Sequence, residues 1–399
     1  MVHPLHEIYH AAHSLRSIKH NQLHELYVAM LIKMLGLSIV GVFVPVYLYQ
    51  LGYGIDQIAL FYVVLYGTRA ITDNIAVRIV GYFGPKHVMI LSHLFLLLSL
   101  TMLLSLETII WPLAAIAVVD ALASGMFYTA YHIEFSKISS DKHSGHQIGT
   151  MYKVGKFASA AGPVLGGAVA TIFGVQVTIV LAMVLILASG VPLALSPEPV
   201  RKRQHVTLKG FPWKKVQWDL VSNAGLGFDQ MAAMFIWPLY VSVFIFTENV
   251  YLSVGLITSL GLAVSFAVAG LYGRVIDKGH GKALLNLGVV GASASHLLRT
   301  IISSSGFVYL FNFVNDSIGI AVRMPYTKGL YGAASSYEGF RDAYIGLIMT
   351  SSNIMRAGVF VIVFWVSQTN SDRLALQSVF ILAALFLWLT PLQRYRSLQ

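Results

Sequence analysis

The chain is dominated by long apolar runs, each near the 20 or so residues that a helix needs to cross a bilayer, separated by short polar breaks. With approximate ends, the runs fall at 23–49, 56–81, 85–106, 109–136, 145–173 and 175–195. After a polar stretch they resume at 216–246, 252–276, 282–302, 306–328, 340–366 and 373–389. Only 11% of residues are charged and 56% are hydrophobic, whereas a soluble domain carries roughly 25% charge. A chain this apolar cannot cover a water-facing surface, so lipid is its solvent over much of its area. The expected fold class is an all-α integral membrane protein of twelve transmembrane helices.

The polar breaks give the runs an orientation. Lys and Arg concentrate at every second break: Arg16 and Lys19, Arg78 and Lys86, Lys137 and Lys142, the segment Arg201 to Lys215, Arg274 to Lys282, Lys328 and Arg341, and Arg394 and Arg396. The alternate breaks carry Glu107 and Glu248 and almost no basic residues, Arg373 excepted. Cytoplasmic loops are the basic ones, so both termini are expected inside, in a plasma or inner membrane. The net charge of +10 is explained by this topology, and no nucleic-acid partner is expected. The expected divisions are a cytoplasmic segment 1–22, a first bundle 23–195, a basic linker 196–215, a second bundle 216–391 and a tail 392–399. The first of these, with five of the 14 histidines and His24 just beyond it, reads as an amphipathic surface segment, and no cleavable signal peptide is evident.

The sequence contains no cysteine, which excludes disulfides, thiol catalysis and Cys-based metal sites. No HExxH, GxSxG, P-loop or zinc-ligand spacing occurs. His132 and Glu134 are two apart and fall on different faces of a helix. No metal, cofactor or enzymatic activity is expected.

The chain also repeats itself. At an offset of 196 residues Arg78 falls on Arg274, Lys86 on Lys282, Asp120 on Asp316, Lys33 on Asp229, and Ala161-Gly162 on Ala357-Gly358. Charged residues are scarce here, so these matches imply two pseudo-symmetric, parallel six-helix bundles about an axis along the membrane normal.

With its topology, basic central linker and repeat, the chain resembles the major facilitator superfamily over nearly its whole length. The family's loop after helices 2 and 8 has the form G-x-x-x-D-R/K-x-G-R-K/R. The second copy here matches it at Gly273, Asp277, Lys278 and Lys282, with Arg274 also present and Gly281 one place late; in the first copy Gly81 stands where the acid should be. The resemblance implies that this loop latches one conformation through charge contacts. Helix 5 matches the exporter-associated pattern G-x8-G-x3-G-P-x2-G-G at Gly149, Gly162, Pro163, Gly166 and Gly167, with Ala158 at the second glycine. Small residues there allow close helix approach and Pro163 bends the helix. The pattern tilts the direction of transport towards export. An Arg found in helix 4 of many proton-coupled exporters is absent, since position 121 is Ala121, beside Asp120.

Ionisable residues deep in such helices should face a cavity or a partner. Lys33 lies about 15 Å into helix 1, and Asp229 at similar depth in helix 7. The resemblance makes helices 1, 4, 7 and 10 cavity-lining, so Lys33 and Asp229 are expected to face each other, with Asp120 and Asp316 on the same cavity. A carboxyl group in a dry cavity can take up a proton near neutral pH and lose it when the cavity opens; Asp120, Asp229 and Asp316 are the candidates. Arg299, Arg323 and Arg356 are candidates to neutralise them or to bind an anionic substrate. Arg69 and Asp73, four apart on helix 2, are expected to pair. Arg323 and Glu134, near cytoplasmic ends, are placed to snorkel. Tyr27, Trp237 and Tyr240, with Tyr62, Phe127 and Tyr131, are candidates to line an amphipathic substrate pocket.

The leading expectation is a monomeric secondary transporter that moves a small molecule by alternating access, with proton-coupled efflux. The alternative is a facilitator or proton symporter importing a sugar, nucleoside, amino acid or lipid-derived metabolite. A membrane-embedded enzyme and a non-transporting sensor are the remaining classes; neither has a supporting motif or soluble domain.

Overall fold

The computed structural model describes residues 24–138, 144–195, 208–337, 339–395 and 398, and every regular element among them is helical. The expected surface segment at 1–22 and the linker residues Arg201, Lys202 and Arg203 lie outside the described residues. In chain order the helices are α1 His24–Gln50, α2 Ile55–Phe83, α3 Pro85–Leu104, α4 Leu113–Ile138, α5 Ser144–Phe173 and α6 Val175–Leu195. The second set runs α7 Trp213–Met231, α8 Val250–Val275, α9 Gly281–Arg299, α10 Ser305–Ser336, α11 Arg341–Thr369 and α12 Asp372–Phe386. The single run expected at 216–246 is broken. α7 passes through a π-helical turn at Ala232–Ile236 before resuming as Trp237–Phe244, immediately after Asp229.

Among the described residues, eight spans are, by length and composition, apolar enough to cross a membrane, Val250–Arg299 counting as one. α2, α7 and α10 fall outside that set. Each carries interior charge: Arg69 and Asp73 on α2, Asp229 on α7, Asp316 and Arg323 on α10. The corners at the basic end repeat. Gly84 (φ 90°) turns α2 into α3, and Gly279 (φ 85°) turns α8 towards α9, both in the left-handed region that only glycine enters at little cost.

The two sets of six helices meet along two seams, α2 against α11 and α5 against α8. The α5 glycines explain the second seam. A side chain at Gly162 or Gly166 would strike the Ser38–Ile39 backbone of α1, whereas one at Gly167 would meet the Tyr251 carbonyl of α8 at 2.6 Å. Gly255 of α8 in turn lies against the carbonyl of Pro163, and Val164 N–H donates to Ser259 Oγ at 3.0 Å. One glycine face therefore packs within the first set and the other reaches across to the second. Gly149 lies on α5 in a stretch whose side-chain surroundings are outside the described set.

Contacts between the sets occur at both ends. At the end away from the basic loops, Tyr251 Oη donates to Gln50 Oε1 at 2.7 Å and Gln368 Nε2 to Asp56 Oδ2 at 3.1 Å. Towards the basic end, Asn74 Nδ2 donates to Thr350 Oγ1 at 2.7 Å, and His132 is hydrogen-bonded to Tyr331. The buried apolar side chains form two main clusters. One includes Phe43, Tyr62, Phe228 and Phe380; the other, nearer the basic loops, includes Met30, Phe127, Leu226 and Tyr344. Interior charges border both clusters: Arg299 lies against Trp237, Phe311 and Phe380 of the first, and Lys33 against Phe127 of the second.

Candidate functional site: a charged belt between the helix sets

The belt has two separate parts. In the first set, Lys33 of α1 is 2% exposed and its Nζ sits 3.3 Å from the centre of the Phe127 ring. Its electrostatic neighbours are Asp120 of α4 and Arg69 of α2. The Arg69 guanidinium stacks 4.9 Å from the Tyr128 ring. Asp73, one turn along α2, is buried and does not ion-pair with Arg69 as expected. It accepts instead from Thr129 Oγ1 of α4 at 3.3 Å and from Asn353 Nδ2 of α11 at 2.6 Å. Two neutral donors within reach satisfy its oxygens, and the Arg69 head lies over the tyrosine. Arg356, on α11, donates to Asn353 Oδ1 at 3.1 Å and to Gln230 Oε1, and faces the Tyr66 ring at 5.8 Å. Tyr66 and Tyr62 stack on Phe360 across the seam, Tyr62 at 4.6 Å.

In the second set, Asp229 of α7 does not face Lys33. Its Oδ1 is 2.9 Å from His296 Nε2 of α9, and its Oδ2 is 3.5 Å from Arg323 Nη2 of α10. His296 Nδ1 accepts from Arg299 Nη1 at 2.8 Å. That bond fixes the tautomer: Nε2 carries the hydrogen donated to Asp229. Arg299 is 1% exposed and lies 5.4 Å from the Trp237 ring, 5.7 Å from Phe311 and 5.8 Å from Phe380. Asp316 acts on the same arginine, and its carboxylate lies against Gly261 of α8. Each has its nearest opposite charge within its own six helices instead: Asp120, at a distance, for Lys33 and Arg323 for Asp229.

Several side chains differ from expectation. Trp237 and Tyr240 are buried among aromatic neighbours rather than on an open surface. Trp237 Nε1 donates to Asn312 Oδ1 at 3.0 Å, and Tyr240 accepts from Gln377 Nε2 at 3.3 Å. Tyr27 is half-buried at the edge of the cluster nearer the basic loops. Arg323 and Glu134 do not snorkel. Arg323 reaches Asp229, and Glu134 is 0% exposed, 3.9 Å from Lys86, which also lies 3.7 Å from Glu25. Lys86 in the first-copy loop is thus buried between two acids from α1 and α4. The second copy is exposed: Asp277 pairs with Lys328 of α10 at 3.2 Å. Arg274, Lys278 and Lys282 lie on or beside this turn.

His296 was not legible as a site residue, because a lone histidine in an apolar run carries no motif. Its position three residues before Arg299, one helical turn, was the available signal. A groove of about 560 Å³ runs along the α2–α11 seam, lined by Gly67, Ala70, Asn74, Thr350 and Ala357 among others. It opens past the exposed Ile71 and Ile354.

Buried charges between two helix sets that touch at both ends are the arrangement of a carrier. The family model described as Major Facilitator Superfamily matches residues 26–360. The chain belongs to the major facilitator superfamily. Within this superfamily the chain is similar to the multi-drug resistance efflux pump PmrA from two strains of Streptococcus pneumoniae. In each case it is 27% identical over 321 residues, which is 77% of this chain and 80% of the relative. Among solved structures it is similar in fold to a bacterial homologue of the human drug peptide transporters PepT1 and PepT2. The TM-score is 0.68 at 14% identity, over 93% of this chain and 96% of the other. The chain is accordingly a multi-pass membrane transporter of the superfamily, and its ligands are small molecules.

Proposed function

We propose that this transporter exports an amphipathic small molecule across the cytoplasmic membrane in exchange for protons, with its basic loops and both termini in the cytoplasm. The observation that carries the coupling is Asp229: a buried carboxylate, 4% exposed, held by a histidine and an arginine from two other helices. Protonation of Asp229 removes its charge attraction to Arg323 and weakens its bond from His296. The ties among α7, α9 and α10 therefore depend on one proton. The half-buried Asp120, Arg69 and Arg356 are available to the substrate. The outward direction is supported by the similarity to an efflux pump and by the α5 glycine pattern.

A second reading is favoured by Asp120, whose electrostatic neighbours are Arg69 and Lys33. Protonating it frees those cations for an anionic molecule, so proton and substrate would travel together. Proteoliposomes loaded at one pH and diluted into another separate the two readings. Uptake of ethidium or fluorescein is followed by fluorescence. Exchange predicts accumulation when the lumen is acid; co-transport predicts accumulation when the outside is acid. Under exchange, Asp229→Asn loses the gradient dependence but keeps dye counterflow. Flux indifferent to the gradient would sink both forms of coupling.

A further inference from the structure

We propose that Arg69, Arg356 and Lys33 form the binding site for a carboxylate on a flat apolar molecule, so that the substrate class is an aromatic organic anion. The proposal rests on the transporter reading but not on its direction. The three cations come from α2, α11 and α1. Arg69 acts electrostatically on Arg356 and on Lys33, and both arginines act on Tyr66, Tyr128 and His132.

Two acids lie in reach of these three bases, and neither closes on them. Asp73 is engaged by Thr129 and Asn353. Asp120 makes no ion pair or hydrogen bond with any described residue and feels Arg69 and Lys33 only at a distance. By formal charge, three bases stand against two acids here. The hydrogen-bond account points the same way. Arg69 makes no hydrogen bond with a described residue, and the buried Nε atoms of Arg69 and Arg356 lack partners. A guanidinium whose buried Nε donor has no partner is destabilised. Its planar fork is matched by a carboxylate, which accepts two parallel N–H bonds.

The surroundings specify the rest of the ligand. Tyr62, Tyr66, Phe235 and Phe360 pack together beside the arginines, with ring centroids 4.6–6.5 Å apart. Tyr62, Tyr66 and Phe360 are at most 4% exposed and Phe235 is half-buried, so the four form an apolar aromatic wall beside the arginines. The second cluster also holds an idle Nε, that of Arg299, but its charges are closed on one another. There Arg299 is bonded to His296 and boxed by three rings, and Asp229 is met by Arg323. Because Arg69 and Arg356 belong to opposite helix sets, an anion between them replaces repulsion across the α2–α11 seam by attraction. Binding then favours the conformation in which the sets are joined there.

The test is a thermal-shift titration of purified protein in detergent with 1-naphthoate and with 1-naphthylmethylammonium, which share a ring system and differ in charge. Naphthoate is expected to stabilise the protein saturably and the amine to leave it unmoved. Arg69→Gln and Arg356→Gln should each weaken naphthoate about tenfold, the loss of one charge-assisted contact. Arg69→Lys and Arg356→Lys keep the charge without the fork, and stand in if the Gln variants do not fold; each should weaken naphthoate severalfold. Equal stabilisation by the amine, or naphthoate binding unchanged in the arginine variants, overturns the site. Binding is read without flux, so the two failures separate. Dye flux that follows a pH gradient with no naphthoate binding sinks this site alone. Naphthoate binding in a protein whose flux ignores the gradient upholds the site and sinks the coupling.

Discussion

Asn353→Ala should separate the two helix sets at the basic end, by an amount that the geometry sets. Asn353 Nδ2 donates to Asp73 Oδ2 at 2.6 Å, and both residues are 1% exposed. The bond spans α11 and α2, from opposite sets, about 15 Å from the basic end of α2. A buried hydrogen bond to a charged acceptor contributes about 1.5–3 kcal/mol. It exists only while α2 and α11 are in contact at this level, so its whole contribution acts on the conformational equilibrium. The ratio of joined to parted molecules should fall about 10- to 150-fold. Because the chain has no cysteine, Phe83→Cys and Lys278→Cys can be spin-labelled without background; both positions are exposed. Double electron–electron resonance should show the longer-distance population growing in Asn353→Ala. Asp73→Asn should move it the same way, by less, since the amide oxygen still accepts. The Asp73→Asn/Asn353→Ala pair should be clearly non-additive. An unchanged distance distribution in Asn353→Ala, with monodisperse protein, would refute the claim that this bond tells one conformation from the other.

Two further outcomes test the packing and the charges. Gly166→Val should lower stability by about 1–3 kcal/mol, because its side chain would occupy the place of the Ile39 carbonyl. Gly155→Ala on the same helix faces open space and should not lower it; detergent thermal unfolding reads both. Glu134→Ala should cost about 3 kcal/mol by leaving the buried Lys86 with only the partly exposed, solvent-screened Glu25. Asp277→Asn, in an exposed pair with Lys328, should barely register in the same assay.

The helical architecture was legible because lipid imposes a simple rule: a spanning segment must be long, apolar and internally hydrogen-bonded. The Lys and Arg asymmetry and the 196-residue offset were legible separately, because charges are scarce enough in such a chain for their placement to stand out. The π-helical turn after Asp229 was not legible, since a one-residue insertion leaves the hydropathy of α7 unchanged. Partners of the buried charges were harder still. Sequence distance suggested Arg69 with Asp73 and pseudo-symmetry suggested Lys33 with Asp229, but a side chain closes on whatever donor its rotamer reaches. Asp73 found Asn353, 280 positions away, and Asp229 found His296. Neither pairing is written in local spacing. Glu134 was misread as snorkelling because its place near a helix end was visible and the opposing Lys86 was not.

The repeat-related charges divide the labour between the two helix sets. Lys33 and Asp229 occupy matching positions, as do Asp120 and Asp316, yet the surroundings differ. Around Asp229 the charges balance: Asp229 and Asp316 stand against Arg299 and Arg323, with His296 bridging two of them. Around Asp120 they do not, and the unbalanced charge faces the seam that must open and close. A balanced, closed network responds to a proton by falling apart; an unbalanced, open one responds to a counter-ion by closing. On the proposed proton coupling, coupling and binding would separate by residue, and paired substitutions decide which acid is coupled. If Asp229 carries the proton, Asp229→Asn abolishes the response of dye flux to a pH gradient, while Asp120→Asn alters apparent dye affinity and leaves that response. If Asp120 carries it, the roles exchange and the gradient works in the opposite direction. Loss of the response in both variants, with dye counterflow intact, would mean that the two clusters act as one and that the division drawn from their charge balance is wrong.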